Sequence, residues 1–287
     1  MIAHVAAAGE QRGRVVLRLT HGPAHPMALE AAMRVAQAFH SEVESVFVED
    51  LQLFEWAAFP FACEISLTGR RRNTVTPESL ALDLQHSAAA LQRRIGALAR
   101  LLDIPFRSTV IRDEPVNAVV RACAEHGPWN VLALAEPLAA GSVGMLSELF
   151  AAVSGATGIL VVGPNARRTT GPVIAEVDDI DHLEPILRTA EKLLGTSEES
   201  LILLLAGHSE SETLEMEGQA RLILGDAPVA TIARAVVRDG APIELAERLR
   251  REGCGFVLAR FGGLLVPSSG DLQHLVLSLE CPLLLTR

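Results

Sequence analysis

Lysine is nearly missing from this chain. Of 287 residues only Lys192 is a lysine, and tyrosine does not occur at all. The other 24 of the 25 basic residues are arginines. No glycine-rich loop precedes Lys192, so a G-x-x-x-x-G-K-[ST] phosphate loop is excluded. Any Schiff-base or acid/base lysine would have to be that same residue, and Ala190-Glu191-Lys192-Leu193-Leu194 reads as a plain amphipathic helix with a solvated side chain. Tyrosine chemistry is excluded outright. Cysteine is sparse: Cys63, Cys123, Cys254 and Cys281 lie far apart with no C-x-x-C pair, which suits free thiols in a reducing cytoplasm and supplies no zinc site. No apolar run reaches the ~18 residues of a membrane span. Residues 1–14 are alanine-rich but include Glu10 and lack a long apolar stretch, which argues against a signal peptide.

What is present describes a folded chain, 49% hydrophobic and 21% charged. Thirty-five acids against 25 bases give a net charge of −10, which disfavours nucleic acid or an anionic membrane as a partner. The acid is unevenly spread. Residues 1–168 carry 15 bases and 16 acids, whereas 169–287 carry 10 and 19. The change falls at Gly163-Pro164-Asn165-Ala166-Arg167-Arg168-Thr169-Thr170-Gly171-Pro172, a polar stretch framed by Gly-Pro pairs that reads as a linker. The expected organisation is a first domain over 1–163, a linker over 164–171 and a second domain over 172–287.

The two halves repeat. Shifted by 126 residues, 110–153 lies over 236–279 without a gap and matches at 12 of 44 positions, where composition gives roughly three or four. Val131-Leu132-Ala133 falls on Val257-Leu258-Ala259. The stripe Leu146, Leu149, Phe150, Val153 falls on Leu272, Leu275, Val276, Leu279, each with helical spacing. Each copy alternates apolar strands with amphipathic helices. In the first, strands are expected at 14–20, 43–49, 106–112, 130–135 and 159–163, with helices at 24–40, 77–103, 116–126 and 144–153. In the second, strands fall at 172–177, 201–206, 229–237, 256–260 and 282–286, with helices at 181–194, 212–224, 243–251 and 271–279. Strands apolar along their whole length are covered on both faces. The fold class is therefore α/β: two tandem five-stranded, doubly wound domains with parallel sheets. The copies differ chiefly at 51–75, a long loop holding Phe54, Trp56, Phe59 and Phe61 and then Arg70-Arg71-Arg72. It reads as a lid, a docking surface or a loop tucked onto its own domain.

This pattern resembles the universal stress protein family in its tandem form. The local likeness lies in Val131-Leu132-Ala133, Gly144-Met145-Leu146-Ser147-Glu148 and Gly158-Ile159-Leu160-Val161-Val162. The resemblance implies an adenine-nucleotide alpha hydrolase-like fold, a stress-response or signalling role without catalysis, a cytoplasmic location, and pairing of final strands in a homodimer or an intrachain pseudo-dimer. Nucleotide-binding members carry G-x-x-G, nine residues, then G-[ST], whose amides and hydroxyl reach the phosphates and ribose. Here Ala133-Leu134-Ala135-Glu136-Pro137 stands where that motif begins. Gly141-Ser142-Val143-Gly144 has the local spacing, and Met145 replaces the hydroxyl residue. Thr20-His21-Gly22 stands where an acid usually follows strand one. In the second copy, Arg260-Phe261-Gly262-Gly263 and Gly270-Asp271 depart further. No motif demands a cofactor. ATP or AMP is the implied ligand of domain one, at the carboxyl ends of strands one, two and four: His21, Gly22, Val48, Glu49, Glu136, Gly141, Ser142 and Gly144. Gly144 would hold an anion, and the Val48 backbone would read a base edge.

Three other constellations compete. Gly207-His208-Ser209-Glu210-Ser211 is similar to the G-x-S-x-G nucleophile elbow, but only His274 follows it as a base, and Ser209 or Ser211 makes a good helix cap. Asp178-Asp179, with Asp181, resembles the acidic pocket of phosphoacceptor domains; Asp239 and Thr286-Arg287 would complete it, while helix-capping acids are the favoured alternative. His21 and His25 flank Gly22-Pro23, where a turn fits better than a metal site. A scaffold that dimerises through the aromatic insert or the last strands, binding no ligand, is the reading from another class.

Overall fold

A strand with no exposed side chain must be covered on both faces, and β1 (Arg14–Leu19) is buried at all six positions. The computed structural model describes residues 13–287 apart from 67, 71, 125–128, 139–142, 154, 196–198, 226–229, 238–241 and 269–272. After β1 come α1 (Pro26–Ala38), β2 (Glu42–Asp50), α2 (Leu51–Ala57), the short strands β3 (Cys63–Ile65) and β4 (Arg72–Thr74), and α3 (Pro77–Leu101). Then follow β5 (Phe106–Asp113), α4 (Pro115–Ala124), β6 (Asn130–Leu134), α5 (Val143–Ala152) and β7 (Ala156–Val161). The second half runs β8 (Val173–Val177), α6 (Leu183–Leu194), β9 (Leu201–Gly207), α7 (Glu210–Leu224), β10 (Ala230–Val236), α8 (Pro242–Arg251), β11 (Phe256–Arg260), α9 (Gln273–Ser278) and β12 (Leu283–Thr286).

The expected strands and helices are all found, with ends shifted by one to three residues. They form one ten-stranded sheet ordered β10-β9-β8-β11-β12-β7-β6-β1-β2-β5. Each half is parallel and doubly wound. The halves meet at β7 and β12, which pair antiparallel with Leu284 opposite Leu160 and Thr286 opposite Gly158. The final strands thus pair within the chain, and each unit covers one sheet edge of the other. Gly158 is the small residue this approach needs, since a Cβ there would lie 2.7 Å from the Leu285 carbonyl oxygen. Arg287 extends the contact by donating to the Ala156 carbonyl at 2.9 Å, and Phe150 stacks on Phe261 with ring centres 3.9 Å apart.

Side chains alternate across the sheet. One core gathers Leu17, Met33, Phe47, Ile95, Leu187 and Phe256 beneath α1, α3, α6 and α7; the other gathers Val16, Leu132, Leu149, Leu249 and Leu275 beneath α4, α5, α8 and α9. This alternation corrects the register of the repeat. Val131 lies in the first core and Val257 in the second, so the gapless shift of 126 sets them on opposite faces. Val131 pairs with Val15 of β1, and Phe256 pairs with Val173 of β8, which makes Phe256 the counterpart of Val131. Leu149 and Leu275 do correspond, each fully buried in the second core. The duplicated architecture holds while single-residue shifts in the connections re-register individual strands, because burial dictates strand phase.

The 51–75 insert is not the long loop expected from sequence. Asp50 caps α2 by accepting the Gln52 N–H at 3.0 Å, and β3 and β4 form an antiparallel hairpin. The segment therefore meets its own backbone hydrogen-bond demand locally. Phe54 packs on the first core with the Arg112 guanidinium 3.9 Å from its ring centre, whereas Trp56, Phe59 and Phe61 stay exposed at 41%, 52% and 70%.

Candidate functional site

In an open α/β sheet ligands enter at the carboxyl ends of the strands. In the N-terminal unit that edge is built around a residue whose role the apolar pattern concealed. Arg18 interrupts Val15-Val16-Leu17-Arg18-Leu19 and is only 6% exposed. A buried guanidinium needs partners. Arg18 donates to Glu136 at 2.8 Å and approaches the Met145 sulfur at 3.5 Å, while among the described residues its Nε has no hydrogen-bond partner. The contacts draw together the end of β1, the segment after β6 and the first turn of α5. Gly144 lies in that turn, exposed, and a Cβ added to it would meet nothing within 4 Å. Glu136 and Gly144 are thus brought to one place.

The other expected residues fare differently. His21 is exposed in the turn after β1, and the Gly22 N–H donates to Thr20 Oγ1 at 3.5 Å. His25 caps α1, its Nδ1 accepting the Met27 N–H at 3.3 Å, and burial lowers its pKa. Val48 packs its side chain into the second core. Glu49 turns to Arg112 on β5, at 2.8 Å, so its carboxylate is engaged in an ion pair. Gly141 and Ser142 lie outside the described residues. Arg18 is legible in the sequence as a charge inside an apolar strand; its partner Glu136 is marked there only by its place after β6.

The equivalent edge of the C-terminal unit is filled by its own side chains. Asp178 accepts from Arg260 through both carboxylate oxygens at 3.1 Å and from the Leu264 N–H at 2.8 Å, which ties down the loop after β11. Asp178 is therefore an ion-pair partner, not the helix cap expected. Asp179 caps only the short 3-10 turn Ile180–His182 ahead of α6, accepting the Asp181 N–H at 3.1 Å. Asp239 lies outside the described residues, and Arg287 reaches across to the N-terminal unit. Asp178, Asp179, His208, Glu212, Glu215 and Arg260 line a cleft of about 660 Å³ whose acids outnumber its one arginine. Ser209 caps α7, accepting the Glu212 N–H at 3.2 Å, and Glu212 accepts the His208 N–H at 2.7 Å. Among the described residues no group of three His, Cys, Asp or Glu could hold a metal ion.

Arg18 and Glu176 are each the penultimate residue of the first strand of their unit, on the same face of the sheet. Glu176 is fully buried and, among the described residues, neither carboxylate oxygen has a well-formed hydrogen bond. Desolvation and the neighbouring Asp178 charge push its pKa up to about 8, against weaker opposing pulls from Arg260 and the Leu265 backbone. The two clefts thus differ in what lies beneath them, an arginine ion-paired to Glu136 in the first half and an acid held protonated in the second.

A third concavity of about 780 Å³ lies between the halves, walled by α1, α3 and α6. Arg34 is fixed there by the Leu193 carbonyl at 3.1 Å, the Thr169 carbonyl and Glu199. Arg94 and Lys192 reach the same groove, over a floor that includes Met33 and Leu98. Lys192 sits 5.1 Å from the Phe39 ring centre.

No family model matches the chain, and no curated protein matches it. Solved structures do. A universal stress protein from Archaeoglobus fulgidus DSM 4304 aligns over 95% of this chain and 96% of its own, with a TM-score of 0.61 at 10% identity. A functionally unknown protein from Pseudomonas aeruginosa PAO1 aligns over 96% and 92%, with a TM-score of 0.57 at 16% identity. The cytoplasmic domain of a prokaryotic cation chloride cotransporter aligns over 96% and 95%, with a TM-score of 0.54 at 11% identity. The chain is similar to all three in fold. Among the described residues no helix is long and apolar enough to cross a membrane.

Proposed function

From a chain with the tandem universal stress protein fold, we propose a non-enzymatic, stress-type binding protein whose N-terminal cleft takes a small anionic ligand, with ATP or AMP as the first candidates. The observation that carries this reading is Arg18, a buried cation beside the first turn of α5 whose Nε has no hydrogen-bond partner among the described residues. A helix N-terminus favours an anion through its unpaired amides and dipole, and the open space at Gly144 lets a phosphate approach the backbone. The C-terminal cleft offers the reverse, with acids at its rim and Glu176 below, so the reading assigns one site per chain. Cytoplasmic residence belongs to the same proposal, and so does a homodimer, which would have to form away from β7 and β12, already paired as an intrachain pseudo-dimer.

Calorimetry with ATP and AMP tests it, using Gly144→Glu as the control. That variant sets a carboxylate where the anion would sit, in space that is already open, so folding is expected to survive while affinity falls at least tenfold. Heat that persists in Gly144→Glu but disappears in Arg94→Ala would move the ligand to the groove between the halves. No heat at millimolar ligand in any variant would leave the scaffold reading, with the exposed Trp56, Phe59 and Phe61 of the insert as its docking face.

A further inference from the structure

Cys254 and Cys281 are 27 residues apart, and the fold brings their sulfurs to 3.3 Å. Each lies just before one of two neighbouring parallel strands, β11 and β12, which are in register with Val257 opposite Leu283. Both side chains are buried, at 3% and 0% exposure. Arg168 of the linker holds the residue preceding each cysteine. Its guanidinium bonds the Glu280 carboxylate at 2.6 Å and donates to the Gly253 carbonyl at 3.5 Å. The same linker segment donates the Arg167 N–H to the Glu280 carbonyl at 2.8 Å.

We propose that Cys254 and Cys281 form a reversible oxidative modification site, which a peroxide closes to a disulfide. The sulfurs need to move from 3.3 Å to the ~2.05 Å of a bond. The Cys254 sulfur attacks a peroxide oxygen, the O–O bond breaks, and with hydrogen peroxide one water leaves and a sulfenic acid remains. The Cys281 sulfur then attacks the Cys254 sulfur. The S–S bond forms, the S–O bond breaks, and the oxygen departs as a second water carrying the remaining thiol proton. Two thiols are oxidised by two electrons, and the peroxide is reduced to two waters.

The surroundings divide the two roles. The hydrogen bond shared with Cys281 lowers the Cys254 pKa, burial opposes it and the Arg168 charge assists, while the same contact and burial raise that of Cys281. Cys254 is therefore the better nucleophile and Cys281 the resolving thiol. Cys123 makes the contrast: it is buried alone, and desolvation pushes its pKa up to about 11. Cys63, half-buried on the insert hairpin, has the Arg72 Nε 3.0 Å from its sulfur and is the other internal control. The disulfide would close a ring containing β11, the loop that Asp178 anchors, and α9, so it would report to the C-terminal cleft.

The test treats the whole native protein with a small excess of hydrogen peroxide, blocks remaining thiols by alkylation and maps peptides by mass spectrometry. The expected result is one cross-linked peptide joining Cys254 to Cys281, a fall from four titratable thiols to two, and full recovery with dithiothreitol. The urea midpoint of the oxidised protein should rise, and Cys254→Ser and Cys281→Ser should each form no such link. Four thiols surviving prolonged exposure, a disulfide involving Cys63 or Cys123, or irreversible sulfinate on one cysteine would each overturn the proposal. The peptide map is made on the wild-type protein, so a folding defect in either serine substitution does not alter what it reads.

Discussion

Glu176→Gln should stabilise this protein more strongly the higher the pH. The carboxyl is fully buried, has no well-formed hydrogen bond among the described residues, and its pKa is pushed from an ordinary 4.5 up to about 8. The folded state therefore keeps a proton that the unfolded chain gives up from pH 4.5 upward. Below pH 4.5 both states are protonated and the residue adds no pH dependence. Between the two values the folded state binds more protons, so stability falls as pH rises, and above about pH 8 the loss is complete. At about 1.4 kcal/mol per pKa unit, the loss amounts to about 3 kcal/mol by pH 7 and about 5 kcal/mol by pH 9. Glutamine has nearly the same shape and is neutral throughout, so it removes this loss while leaving a buried polar group in place. Urea unfolding followed by circular dichroism at pH 5, 7 and 9 measures it. The variant should gain about 4 kcal/mol over wild type between pH 5 and 9. A gain that stays constant across that range, or a wild type that is the more stable at pH 9, would refute a protonated buried carboxyl at this position.

Three further outcomes follow from the packing. Arg14 is 1% exposed and bonds Glu44, the Asn130 side chain and the Ala122 carbonyl, so Arg14→Met should cost about 3–5 kcal/mol by stranding Glu44. The double change with Glu44→Leu should recover much of that in the same urea assay. Gly255→Ala would set a Cβ 2.4 Å from the Thr170 carbonyl carbon and should lower stability by about 1–3 kcal/mol, whereas Gly144→Ala, in open helical space, should be neutral or stabilising. Ser209→Ala removes the α7 cap and should cost about 1 kcal/mol in thermal or urea unfolding, while calorimetric binding at the N-terminal cleft stays unchanged.

Features written in short windows are legible in the sequence. Apolar runs such as Leu201–Gly207 announce strands buried on both faces, and the stripe Leu146, Leu149, Phe150, Val153 announces a helix with one buried side. Ser209 followed by Glu212 announces a cap. Each rests on period or on contacts within a few residues. The insert is harder to read because its helix and hairpin are short and its aromatics largely face solvent, so neither period shows.

Composition and periodicity alone determined the exclusion of a phosphate-loop lysine and of tyrosine chemistry, the α/β class, the doubling of the architecture and the acidity of the second half. These are properties of residue type and local order, and distance along the chain expresses them fully. The tertiary structure alone decided that β7 and β12 join the halves, that Val131 answers to Phe256, and that Arg18 meets Glu136. It also decided that Glu176 is buried beside an ion-paired Asp178 and that Cys254 touches Cys281. Each of these joins residues distant in the chain, and their charge and burial depend on which strands become neighbours. Strand order is a collective outcome of covering both faces of one sheet, which no local pattern contains.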